Sequence, residues 1–441
     1  MAEEIKSFIP EGFNPETCSL EELKSMIEQM HDKEDFYESK QLGEKLFLNS
    51  MYGAVSSKYF IGFNLEVSKS ITLQGQDLNH FSENCVNRYF NGIFQNDTEL
   101  HKKLGISTED AKKVVVNKGS ISRVHFYSEE EKKKSGMEHL EGDFSTCVAG
   151  DTDSLYVEFG RFVRQLNIPD EKQTEFVVNL WNYGCGPYME KCYDAYAKYY
   201  QCKENLEVLE LEKVCRTTIL YAKKHYAMEE VWEEPGVYLP DMTNIIYKGL
   251  EVIQGSTPPY ARKCQKEMIE FVLRNYMHSD EKPEFTDLVS MLKKFRKEME
   301  AQPVDEIAKS MNISDYDKFI LEDKGRIVIA VNGQTGKQLT VPIHVRASAY
   351  HNYLLYKNKQ YLSKYQIIRS KDKVKMYYTK TNKDNIDIFA YIPGSYPYEF
   401  APAIDYDLQF EKTILEPLNR LIEILGYQRM TSSLAYTEEL F

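Results

Sequence analysis

Ser145-Thr-Cys-Val-Ala-Gly150-Asp151-Thr152-Asp153-Ser154-Leu-Tyr-Val-Glu-Phe159 is the stretch around which the chain is organised. Strand-forming residues flank the turn formers Asp151 to Ser154, so the run reads as an antiparallel hairpin with two carboxylates at its tip. Carboxylates held that close repel unless a cation lies between them, and an all-oxygen pair suits Mg²⁺ or Mn²⁺. Most Asp-x-Asp turns carry no such duty. What else the chain contains decides the matter.

A chain of 441 residues and 51.5 kDa is too long for one ordinary core and predicts two or three domains. Its 42% hydrophobic and 13% aromatic content excludes a disordered protein. A formal net charge of −13 excludes a uniformly basic nucleic-acid binder but leaves room for a local basic face. The cysteines at 18, 85, 147, 185, 192, 202, 215 and 264 form no Cys-x-x-Cys pair. With no signal peptide ahead of them, they read as reduced thiols, which points to a cytoplasmic protein, the host cytoplasm if a phage encodes it. Cys185, Cys192 and Cys202 lack the nearby His or fourth Cys that a structural zinc needs. No apolar run is long enough to span a bilayer, so no membrane is expected among the partners.

Ser19 and Glu22 form a capping-box signature that starts a helix. A polar break near His31-Asp32-Lys33 predicts a second helix over 34–52, antiparallel to the first. On that second helix Gln41, Lys45, Asn49 and Tyr52 fall on one stripe, at about 100° per residue. An ammonium, an amide and a phenol in a line match the order of groups in a nucleoside triphosphate. Any one of them alone would read as a solvated face. Gly43 costs the helix about 1 kcal/mol against Ala, which a purely structural helix has little reason to keep.

Lys45-x-x-x-Asn49-Ser50-x-Tyr52-Gly53 followed by Gly150-Asp151-Thr152-Asp153-Ser154 resembles two signature motifs of the family B DNA polymerases, in the family's order. Further matches follow in sequence. Glu212-Lys213-Val214 and Lys223-Lys224-His225-Tyr226 resemble the palm segment that grips the primer end, and Lys248-Gly249-Leu250-Glu251 with Ser256-Thr257-Pro258 resembles the passage into the thumb. Val341 to Arg346 and the tail from Ser432 to Phe441 are similar to the T-even phage branch. The resemblance implies an α+β fold: an antiparallel-sheet palm flanked by partial helical fingers and a mainly helical thumb. It divides the chain into a lead-in (1–18), fingers helices (19–53), a palm (54–259) with a charged insertion (96–141), a thumb (260–426) and a tail (427–441). Within these, helices are expected near 76–94, 170–202, 260–277, 285–299 and 407–425, with a strand-prone stretch over 363–378.

The resemblance further implies template-directed addition of dNTPs to a primer 3′ end with two Mg²⁺ ions, for which Mn²⁺ can substitute. Asp153 would be the main metal ligand, Asp151 its weaker neighbour, and Glu212 an acid close to the metals. Lys45 would meet the triphosphate and aid the leaving group, with Gln41 beside it. Asn49 would brace the nucleotide and Tyr52 would test the nascent base pair. Lys223, Lys224, Tyr226, Lys248 and Gly249 would hold the primer-template backbone. Leu434, Leu440 and Phe441 of the tail would dock on a sliding clamp. Two departures stand beside these matches. No Asp-x-x-Ser-Leu-Tyr segment lies upstream of Lys45, and the leading 44 residues leave no room for an exonuclease. The expectation is the C-terminal subunit of a split polymerase, completed by an N-terminal polymerase/exonuclease subunit. The alternative is an inactive polymerase-like subunit that only binds primer-template and clamp.

Overall fold

A computed structural model describes residues 18–114 and 146–431, except 235, 241, 279–281, 324–325, 332–333, 335 and 382–385. Residues 1–17 of the lead-in, most of the charged insertion and the clamp-tail residues Leu434, Leu440 and Phe441 lie outside the described residues. The fold is α+β. It divides into two compact units: Met1–Asn91 with Val116–Glu158, and Gly92–Val115 with Phe159–Phe441.

In the first unit, α1 runs unbroken from Leu20 to Ser56. Its start follows the sequence reading: Ser19 Oγ accepts from the Glu22 amide at 3.2 Å, and Glu22 Oε2 accepts from the Ser19 amide at 2.8 Å. The expected break at His31-Asp32-Lys33 does not occur. Those residues interrupt the apolar spacing but include neither Gly nor Pro, so nothing stops the helical backbone. Instead His31 Nδ1 sits 3.3 Å from Glu34 Oε2 one turn on, a pairing that a continuous helix provides. The antiparallel partner of α1 is α2, Leu65–Arg88, reached through a turn in which the Asn64 amide donates to Val55 O and Asn64 Oδ1 caps Glu66 and Val67. α2 begins eleven residues before the helix expected from position 76. The hairpin of β1 (Cys147–Asp151) and β2 (Ser154–Val157) completes the unit.

The second unit opens with short helices at Thr98–Leu104 and Thr108–Lys113, followed by α3 (Asp170–Leu180) and α4 (Gly186–Tyr199). A π-turn, Trp181–Cys185, joins α3 to α4, and Pro187 explains it: with no N–H to complete the ladder, the preceding turn widens. The same device, Glu411–Leu415 ahead of Pro417, interrupts the last helical rod, which otherwise fills the expected span and ends as the helix Glu416–Ile424. β3 (Lys213–Ala222), β4 (His225–Glu233), β5 (Val237–Tyr238) and β6 (Ile245–Lys248) form an antiparallel sheet with β4 bonded to the other three. α5 (Pro259–His278), α6 (Phe285–Met299) and α8 (Glu416–Ile424) pack on it around Met268, Val272, Leu292, Phe295 and Leu421. Full burial of each such side chain contributes about 1.5–3 kcal/mol.

The span expected to be mainly helical also holds a three-stranded sheet in the order β11-β10-β7, from Lys309–Asn312 (β7), Lys373–Tyr378 (β10) and Ile388–Tyr391 (β11). A hairpin, β8 (Ile320–Asp323) with β9 (Arg326–Ile329), precedes α7 (Ile343–Lys357), which covers that sheet. Asn352 of α7 locks the packing: its amide bonds both the carbonyl and the N–H of Ile368, each at 2.9 Å.

His351, beside it, is 1% exposed, donates from Nε2 to Gln366 O at 3.2 Å and lies 5.6 Å from the Phe389 ring. Burial pushes its pKa from 6.5 down to about 4. Between those values the unfolded chain takes up a proton that the folded chain refuses, so stability is complete above 6.5 and falls as pH drops toward 4. The loss should approach about 3 kcal/mol. Urea unfolding at pH 7 and pH 4.5 should show a steeper acid loss for the wild type than for His351→Gln; equal slopes would refute this account.

Candidate active site

The carboxylate turn is built as a tight reversal. Asp151 pairs with Ser154 across the hairpin, the Asp153 amide donates to Asp151 O at 2.7 Å and Ser154 Oγ donates to the same carbonyl at 3.1 Å. Thr152, between the carboxylates, has φ +58°. A β-branched residue in that left-handed region costs on the order of 1–3 kcal/mol. Asp153 is exposed and Asp151 half-buried, with Thr152 Oγ1 3.3 Å from Asp151 Oδ1. Among the described residues, no hydrogen bond or ion pair engages the Asp153 carboxylate. From α2, Asn87 Oδ1 accepts from the Thr146 amide at 2.6 Å at the base of β1, and Asn79 Nδ2 donates to Thr152 O at 3.3 Å at the tip. Nothing local in the sequence marks either asparagine, because each bond joins positions about sixty residues apart or more.

In the same unit, α1 carries Gln41, Lys45, Asn49 and Tyr52 on one exposed stripe, as the spacing predicted. Gln41 to Tyr52 spans about 16 Å at 1.5 Å per residue. Among the described residues Gln41, Lys45 and Asn49 have no side-chain partner. Tyr52 does: its hydroxyl shares a 2.9 Å hydrogen bond with Thr72 Oγ1 of α2, which holds its pKa below the usual phenol range. Ser56 and Ser68 repeat the stitch one turn on, at 2.6 Å.

The second unit presents cations instead. Lys223 and Lys224 form the two-residue turn between β3 and β4, both exposed, with Lys224 at φ +63°. His225 Nδ1 closes on Lys223 O at 2.9 Å. β6 lays exposed Lys248 opposite Tyr226, and Gly249 follows at φ +64°. A Cβ on Gly249 would stand 2.2 Å from Lys224 O, so only glycine lets the two segments meet. Lys223, Lys224, Tyr226, Lys248 and Gly249 are thus brought together by the sheet register.

Glu212 is exposed immediately before β3, its carbonyl bonded by the Glu234 amide at 2.9 Å. Burial, then Glu210 and Glu212, raise the Glu234 carboxyl above its usual range. Fully buried Glu229 and Glu230 are already satisfied. Glu229 accepts from the Met242 amide at 2.8 Å, and Glu230 from Asn244 Nδ2 at 2.6 Å and from Lys213.

Among the described residues, no three His, Cys, Asp or Glu side chains gather as a metal cluster. Asp151 and Asp153 stand as a two-carboxylate set in one unit, while Glu212 belongs to the other. That donor set is oxygen-only and open to solvent at Asp153, which fits Mg²⁺, an ion that keeps several waters and takes one or two carboxylates plus phosphate oxygens. Among the described residues, no helix is long and apolar enough to cross a membrane.

The sequence profile of DNA polymerase family B matches residues 4–169, a span that contains both the α1 stripe and the carboxylate turn. The chain is similar to the DNA-directed DNA polymerase of Enterobacteria phage T4, 23% identical over 315 residues, covering 69% of this chain and 29% of that protein. It is also similar to the DNA-directed DNA polymerase of Escherichia phage RB69, 22% identical over 269 residues, covering 58% and 24%. The chain therefore spans less than a third of the length of these curated relatives.

Gly249→Ala should displace the Lys224 carbonyl and lower stability by about 1–3 kcal/mol, read as a fall in the urea midpoint. An unchanged midpoint would mean that the two segments are free to part.

Proposed function

We propose that this chain, a sequence relative of the family B DNA polymerases, is the fingers, palm and thumb subunit of a DNA-directed DNA polymerase whose remaining catalytic carboxylate and exonuclease come from a partner chain. The observation that carries the reading is the pairing, in one unit, of the carboxylate turn with its exposed Asp153 and an exposed stripe of Gln41, Lys45 and Asn49 that have no side-chain partner among the described residues. Residues 19–53 serve as fingers, 54–259 as palm and 260–426 as thumb.

Asp153 and Asp151 would hold Mg²⁺ or Mn²⁺, which would supply Lewis acidity to the primer 3′-hydroxyl and the pyrophosphate leaving group; Glu212 is the further acid that the resemblance assigns to the metals, and the partner would add the missing carboxylate. Lys45 pairs with the triphosphate and gives a proton to the departing pyrophosphate. Gln41 and Asn49 orient the nucleotide, and Tyr52, anchored by Thr72, presents its ring to the nascent base pair. Lys223, Lys224, Tyr226, Lys248 and the Gly249 backbone take the primer phosphates, an electrostatic grip that positions the terminus without reading sequence. The site of action is the cytoplasm, where primer-template and dNTPs meet the chain.

One observation supports a partner: α1 buries no residue along its 37 positions, leaving Leu42, Leu46, Phe47 and Leu48 each more than half exposed. Apolar surface on that scale marks an interaction site.

The purified chain should extend no primer in Mg²⁺; robust synthesis by it alone would overturn the split. Reconstituted with the product of the neighbouring reading frame, it should polymerise. In that pair Asp153→Ala should cost on the order of 10³-fold or more, and Lys45→Ala about 10²-fold in kcat/KM. A reconstituted pair indifferent to Asp153→Ala would identify the chain as a binding subunit only.

Leu434, Leu440 and Phe441 form the clamp-docking tail. Deleting the last ten residues should abolish clamp-stimulated processivity and spare short-gap filling. Unchanged processivity would remove the tail's role.

A further inference from the structure

We infer that Asn79 is a positioning residue for the carboxylate turn: its side-chain amide holds Thr152 in the left-handed conformation that fixes Asp151 and Asp153 as a pair of ligands for a divalent cation. The inference rests on the polymerase reading and adds to it a residue outside both motifs.

Thr152 has φ +58°, a region that β-branched residues avoid unless their surroundings impose it. The turn's own bonds do not impose it, since the Asp153 amide and Ser154 Oγ both close on the carbonyl of Asp151. The Thr152 carbonyl is held from outside, by Asn79 Nδ2 of α2 at 3.3 Å. Gly150 supplies the second observation. Its φ lies outside the left-handed region, so the backbone does not require glycine there. Space favours it: a Cβ on Gly150 would stand 3.2 Å from Asn79 Oδ1, tight enough that the amide would have to give by a few tenths of an ångström. The glycine ahead of the two carboxylates therefore makes room for an amide that reaches the residue between them. Asn87 grips the opposite end of β1 through the Thr146 amide, at 2.6 Å. α2 thus holds the strand at both ends, and the grip at the tip is the one that touches the turn.

A hydrogen bond to the backbone between two ligands acts as an outer-shell contact does, by orienting the groups that bind metal. Its loss frees the turn to relax, and the two carboxylates then meet the cation in many geometries instead of one.

The test is Mn²⁺ uptake by the full-length chain, read from the loss of the free-ion EPR signal, with circular dichroism as the check on folding. Asn79→Leu should weaken uptake by about tenfold. Adding Thr152→Gly in that background should restore most of it, because glycine takes positive φ unaided. Equal uptake by the wild type and Asp153→Ala would remove the metal site, and this inference with it. Uptake by Asn79→Leu that matches the wild type, or no gain from Thr152→Gly, would overturn the inference and leave the polymerase reading standing.

Discussion

Two carboxylates two residues apart repel each other, and the first unit is arranged around keeping them together. The chain accepts a strained threonine between them and gives up a side chain at Gly150. It ties both ends of the strand to one helix through asparagine side chains. None of these features stabilises an ordinary turn at comparable cost; relaxing Thr152 alone would return on the order of 1–3 kcal/mol. A turn that stores strain and leaves Asp153 unengaged among the described residues is what the proposed metal role requires.

The same logic separates the acidic residues of the second unit. Glu229 and Glu230 are fully buried, yet each finds its donors in the sheet and the loop ahead of β6: Thr217 and the Met242 amide for one, Lys213 and Asn244 for the other. A buried carboxylate with its lone pairs filled holds register and has little left for a metal. Glu212 differs because it is exposed and adds to a field that already raises Glu234. Burial alone would point to Glu229 and Glu230, but their hydrogen bonds leave both already engaged.

How much of this was legible in the sequence follows from how far apart the deciding residues stand. The capping box at Ser19 and Glu22, the hairpin around Asp151 and the helix Phe285–Met299 depend on neighbours within a turn or two, and all three were readable. The α1 stripe was readable as well, since helical spacing alone aligns Gln41, Lys45, Asn49 and Tyr52. The false break at His31 came from treating a lost apolar rhythm as a stop signal when no residue there opposes helix. The β11-β10-β7 sheet joins strands on either side of α7, and the Asn79 bond spans 73 residues. Such contacts leave no periodicity behind, so no window of sequence contains them.

A net charge of −13 sits uneasily with the proposed grip on DNA, and the arrangement of charges resolves the conflict. Backbone phosphates respond to charges within a Debye length, about 8 Å at physiological salt, so the sum over the whole chain matters less than each local patch. At the β3–β4 turn the patch is positive: Lys223, Lys224 and Lys248 are exposed and held side by side by the Tyr226–Lys248 register. Many of the acids are occupied elsewhere, Glu230 by Lys213, Glu267 by Lys294, Glu399 by Lys364 and Asp407 by Arg296. Paired charges cancel at the distance a duplex would approach, whereas Lys223 and Lys248 have no side-chain partner among the described residues and project their field in full. An acidic chain can therefore offer a basic grip, provided the backbone gathers exposed lysines in one place, and at Gly249 the fold gives up a side chain to do so.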